Sequence, residues 1–138
     1  MKVSEVMSRK LRMLPPTATL WDAATLMDQE DIRHVAICED GVLCGLVSDR
    51  DIRRFELPFD EAKLDPRAAI ERYEVKLSEF MTSDPIVLTA ETDLVEAIDV
   101  MLAGTFGAIP IVDPETEKLI GMLSYVDILA AVKPMLSR

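Results

Sequence analysis

The chain repeats itself. Lys2-Val3-Ser4-Glu5-Val6-Met7-Ser8 is matched by Lys76-Leu77-Ser78-Glu79-Phe80-Met81-Thr82, an offset of 74. The offset holds through Leu14/Leu88, Leu20/Leu94, Ala23/Ala97, Met27/Met101 and Ile37/Ile111. It becomes 76 at Gly45/Gly121, Ser48/Ser124, Asp51/Asp127 and Ile52/Ile128. The shift falls in Asp113-Pro114-Glu115-Thr116-Glu117-Lys118, a turn sequence that can absorb an insertion. A register kept this long implies two copies of one structural unit.

Both copies follow one plan. A short extended piece (11–14, 85–88) precedes an amphipathic helix, expected over 20–30 and 94–102. Leu20, Ala23, Ala24 and Met27 recur at helical spacing, as do Leu94, Ala97, Ile98 and Met101. Thr19 and Thr92-Asp93 supply N-caps. Two strands joined by a turn follow: 35–38 with 42–47, and 108–112 with 119–123. A second helix closes each copy. The fold class is therefore α/β (α+β), two β-α-β-β-α repeats at 1–57 and 74–138. Each buries little alone, so the two are expected to pack sheet to sheet with pseudo-two-fold symmetry. A connecting segment, 58–73, carries a short helix from Asp65-Pro66 to about Tyr73.

The strand-to-helix junction carries the chemistry. Gly45-Leu46-Val47-Ser48-Asp49-Arg50-Asp51-Ile52 returns as Gly121-Met122-Leu123-Ser124-Tyr125-Val126-Asp127-Ile128. Each aspartate falls in the first helical turn, where a carboxylate satisfies free N–H groups and meets the positive end of the helix dipole. The aspartates are either helix caps alone or caps that also meet a ligand.

Bulk properties exclude several classes. The net charge of −10 argues against nucleic acid, which needs a basic face. No apolar run suits a membrane span and no signal peptide opens the sequence, so no membrane insertion and a cytoplasmic address are expected. Cys38 and Cys44 flank an Asp40-Gly41 turn and read as small core residues that face each other across two strands. His34 is the single histidine. No nucleophile–base set, metal cluster or Gly-rich phosphate loop is present, so no enzyme is expected.

The ordered set of Ile32-Arg33-His34-Val35-Ala36-Ile37, turn, and the first junction resembles the CBS domain. So do Phe80-Met81-Thr82-Ser83-Asp84-Pro85-Ile86-Val87 and Phe106-Gly107-Ala108-Ile109-Pro110-Ile111-Val112-Asp113. The two copies resemble a tandem pair, a Bateman module, standing alone. Ala36 departs from the proline common at that family position; the second copy keeps Pro110.

The resemblance implies a regulatory module that senses adenosine-containing ligands (AMP, ADP, ATP or S-adenosylmethionine) in clefts between the repeats. It implies no required cofactor, a homodimer and a separate client protein. Asp51 and Asp127 would accept from ribose hydroxyls, with Ser48 and Ser124 holding sugar or phosphate. One cleft would join Ser124 and Asp127 to Ala18, Ala23, Arg33 and His34. The other would join Ser48 and Asp51 to Thr92, Ala97, Gly107 and Ala108, with Arg50 its nearby cation. Arg33 and His34 are either a solvated strand start or a phosphate contact. The alternative is a ligand-free dimerisation or protein-interaction module, with Ile52, Phe55, Ile128, Leu129 and Val132 as contact candidates. Trp21 reads as partly buried in the core.

Overall fold

A computed structural model describes residues 1–137. Two short 3-10 turns, Val3–Glu5 and Leu77–Glu79, open the two copies. The strands are β1 (Met13–Leu14), β2 (His34–Glu39), β3 (Val42–Ser48), β4 (Thr82–Ser83), β5 (Ala108–Val112) and β6 (Leu119–Ser124). The helices are α1 (Leu20–Glu30), α2 (Asp49–Phe55), α3 (Phe59–Leu64), α4 (Pro66–Tyr73), α5 (Leu94–Gly104) and α6 (Tyr125–Leu136). This is a mixed α+β chain with a four-stranded sheet, order β1-β2-β3-β4, and a two-stranded sheet, β5-β6.

Local chemistry accounts for the helix ends. Thr19 and Asp22 cap α1 reciprocally, the Asp22 N–H donating to Thr19 Oγ1 and the Thr19 N–H to Asp22 Oδ2. Asp93 caps α5 through the Val95 N–H. Both helices stop at left-handed residues, Asp31 (φ 52°) and Thr105 (φ 54°), which are 74 apart. Each turn is closed by the next residue: Ile32 N–H donates to the Met27 carbonyl, and Phe106 N–H to the Met101 carbonyl. These stops aim the chain into β2 and β5. Asp65 caps α4 with Pro66 at its first position, as the sequence predicts. Helix α3 is an addition that the sequence does not announce.

The chain forms two compact units, and their membership crosses the repeats. Unit 1 contains Met1–Leu11, the tip Gly41–Leu43 and the chain from Pro85 onward; unit 2 contains Arg12–Asp40 and Cys44–Asp84. The opening of each copy therefore belongs with the helix and strands of the other. In unit 1, Val3 N–H donates to the Thr92 carbonyl and Ser4 N–H to that of Ala90, while Leu94 N–H donates to the Met1 carbonyl. In unit 2 the same bonds recur: Leu77 to Ala18, Ser78 to Pro16, and Leu20 to Val75. Ser8 bridges Met122 in unit 1, and Thr82 pairs with Leu46 in unit 2.

The cores match residue by residue. Unit 1 buries Val3, Leu94, Ala97, Met101, Ile109, Ile111, Leu123 and Ile128, with Met7 added. Unit 2 buries their counterparts Leu77, Leu20, Ala23, Met27, Val35, Ile37, Val47 and Ile52, with Met81 packed alongside. Ile52 and Ile128 are therefore core residues, and Phe55 stacks on Phe80 at 4.9 Å. Those three are removed from the candidate contact surface; Leu129, 59% exposed, stays on it.

The exchanged openings explain the repeated glycine. A Cβ on Gly121 would meet Met7 Sδ at 2.7 Å and the Ser8 carbonyl at 3.0 Å. A Cβ on Gly45 would meet Met81 Sδ at 2.4 Å. Gly121→Ala, where backbone limits relief, is expected to cost about 1–3 kcal/mol. Gly45→Ala, where only methionine must move, should cost less. Denaturant titration of the two variants measures both.

Candidate functional site

Ser48 closes β3 and caps α2; Ser124 closes β6 and caps α6. Ser48 N–H donates to Asp51 Oδ2 at 2.8 Å, and Asp51 N–H to Ser48 Oγ at 3.1 Å. Ser124 N–H donates to Asp127 Oδ2 at 2.9 Å, and Asp127 N–H to Ser124 Oγ at 3.1 Å. The repeated pattern is thus a reciprocal capping box in both copies. The box uses Oδ2 and leaves Oδ1 outside it. All four residues are half-buried, so each carboxylate is held in one direction while solvent reaches it. A fixed, partly desolvated acceptor suits a hydroxyl donor.

The strand starts meet these junctions. Asp49 N–H donates to the Arg33 carbonyl at 2.9 Å, tying the start of α2 to the start of β2. Tyr125 N–H does the same to the Gly107 carbonyl at 3.1 Å, and Ala108 pairs with Ser124. Unit 2 therefore gathers Arg33, His34, Ser48, Arg50 and Asp51. Unit 1 gathers Gly107, Ala108, Ser124 and Asp127. Ala18 accepts from Leu77 N–H, and Thr92 from Val3 N–H, through backbone carbonyls. Ala23 and Ala97 are fully buried, each in its own core, so their role is to keep α1 and α5 close to the strands.

His34 is half-buried. Desolvation dominates and lowers its pKa, opposed by Asp49 and Asp51 and reinforced by Arg33 and Arg50. Asp49, which the sequence reading does not single out, joins the charges around His34 and lies one helical turn before Arg53. The two form an ion pair at 3.0 Å. Arg33 and Arg50 are exposed.

The remaining candidates are structural. Cys38 and Cys44 are free thiols; Cys38 is buried, and desolvation pushes its pKa up to about 11. Cys44 donates to the Ile37 carbonyl at 3.2 Å. Trp21 is 61% exposed rather than partly buried in the core; its ring meets that of Tyr73 at an interplanar angle of 79°, centroids 5.9 Å apart. Tyr73 donates to Glu56, and Arg72 donates to the Phe55 carbonyl at 2.8 Å, fastening α4 to the end of α2. Among the described residues no helix is long and apolar enough to cross a membrane.

The model of the CBS domain matches residues 3–57 and 77–134. A CBS domain-containing protein of Dictyostelium discoideum is 29% identical over 129 residues, 92% of this chain and 88% of its own. CBSX2 of Arabidopsis thaliana, solved in complex with AMP, is 25% identical with TM-score 0.80 over 98% of both chains. The CBS domain pair of MJ0100, solved with 5′-methylthioadenosine and S-adenosyl-L-methionine, shares the fold at 18% identity. Its TM-score is 0.78 over 98% of both chains.

Two outcomes follow from the junction. Asp51→Ala removes one box and should cost about 1 kcal/mol without any ligand, read by denaturant titration. Because the folded state holds His34 below its ordinary pKa of 6.5, the unfolded chain binds the extra proton first. The histidine's contribution is complete above pH 6.5 and declines as pH falls from there toward the folded value. His34→Gln should flatten that part of the stability–pH curve.

Proposed function

The chain belongs to the CBS domain family, and on that premise we propose that it is a regulatory module that holds adenosine compounds and catalyses nothing. The carrying observation is the doubled junction: two carboxylates fixed by capping, each with Oδ1 outside the box. An oriented acceptor of this kind fits the adjacent hydroxyls of a ribose. The AMP complex of CBSX2, similar over nearly the whole chain, supports the ligand class. AMP, ADP, ATP and S-adenosylmethionine are the candidate ligands, Arg33, His34 and Arg50 the groups for phosphate, and Thr92, Gly107 and Ala108 further contacts. A cytoplasmic setting and a separate client protein belong to the same proposal.

A second reading is an interaction module that works as a homodimer without ligand. What favours it is the apolar exposure on α5 and α6: Val95, Leu102, Val126, Leu129 and Leu136 are 58–82% exposed.

A thermal-shift titration with AMP, ADP, ATP and S-adenosylmethionine separates the two. Ligand at one hundred times its Kd stabilises the folded state by about 2.7 kcal/mol. Asp51→Asn and Asp127→Asn keep a capping acceptor while losing the charge, so a lost ligand shift in either reports binding rather than folding. The absence of any shift, with a dimer by light scattering, would leave the interaction module.

A further inference from the structure

Helices α5 and α6 carry the same short stripe with opposite charge. On α5 it reads Val95, Ile98, Asp99, Leu102; on α6 it reads Leu129, Val132, Lys133, Leu136. The spacing is identical, and residues three and four apart lie on one side of a helix. Ile98 and Val132 are partly buried against the unit 1 core. The outer apolar residues are not: Val95, Leu102, Leu129 and Leu136 are 65%, 73%, 59% and 82% exposed. Each stripe thus runs from the core edge out over the surface. Among the described residues no ion pair engages Asp99 or Lys133.

In unit 2 the matching edge is closed by the chain itself. At the offset of 74, Val95, Ile98 and Leu102 correspond to Trp21, Ala24 and Asp28. At 76, Leu129 and Val132 correspond to Arg53 and Glu56. Helix α4 sits there: Tyr73 meets the Trp21 ring and donates to Glu56, and the Arg72 guanidinium lies 5.3 Å from the centre of the Phe55 ring. Asp28 and Arg53 are charged where unit 1 has leucine, and Arg53 is already paired with Asp49.

An apolar stripe bordered by a charge at a fixed position is how paired helices choose their partners. Setting α5 against α5, or α6 against α6, brings like charges together; setting α5 against α6 brings a carboxylate to an ammonium. Both stripes belong to unit 1, so a two-fold axis satisfies them together, α5 of each copy meeting α6 of the other. We propose that unit 1 docks on unit 1 of a second copy through α5 and α6, while the matching face of unit 2, charged and held by α4, stays outside the contact. The inference rests on the interaction reading above and assigns that reading its surface and pairing; it is independent of any ligand.

Sedimentation equilibrium of the full chain tests it, with circular dichroism reporting the fold of each variant. The parent should be a dimer. Asp99→Lys sets ammonium against ammonium and should raise the dimer Kd by about tenfold. Lys133→Glu added to it rebuilds the pair in reverse and should recover the parent value. Leu129→Glu should give folded monomers. Asp28→Lys, at the unit 2 counterpart of Leu102, should leave the dimer as it is. A dimer indifferent to both Asp99→Lys and Leu129→Glu, no recovery in the reversed pair, or a dimer lost with Asp28→Lys would overturn the inference alone. A monomeric parent would overturn the homodimer reading with it.

Discussion

The reciprocal bonds of Ser48 with Asp51, and of Ser124 with Asp127, fix the turn on which each unit depends. They satisfy backbone donors at the helix start and set the direction in which α2 and α6 leave the sheet. That direction brings Ile52 and Ile128 into the cores. It also sets the strand starts against the helix starts through the Asp49–Arg33 and Tyr125–Gly107 bonds. One interaction thus serves folding and leaves an oriented carboxylate oxygen behind. The choice between cap and ligand contact, open in the sequence, is not exclusive: the cap is present and preorganises what a ligand would meet.

Much of this was legible because it is local. The bounds of α1 and β5 coincide with those expected, since apolar period, capping residues and turn residues all agree over Leu20–Glu30 and Ala108–Val112. Helix α3 was not legible: Phe59 and Leu64 are 80% and 88% exposed, so no buried stripe marks it. The misplaced contact candidates have a related cause. An apolar residue at helical spacing has the same signature whether it faces a core or a partner, and Ile52, Phe55 and Ile128 face inward.

The exchanged openings were invisible for a different reason. Val3 and Leu77 are equivalent, as are the helices they seat on, so periodicity cannot say which opening joins which helix. The clue lay in the pairing of Met7 with Gly121 and Met81 with Gly45, where a bulky side chain demands an absent one. The candidate site divides in the same way. The cap and the loss of cations in the second copy can be read from residue identities; the desolvation of His34 cannot, because it depends on what surrounds the ring.

The exchange has a consequence for how the chain comes into being. Unit 2 has its full complement only when synthesis has passed Asp84, and its last contributions, Leu77 and Thr82, come from the second repeat. Residues 1–11 are made before Thr92 and Met122, their partners in unit 1. The core that Val3 and Met7 join is otherwise made of residues from the second repeat. A single repeat released on its own would lack the opening that its helix and strands accept. Only a second copy could lend it, so an isolated half of this chain could close its core by pairing, each molecule giving the other its first residues.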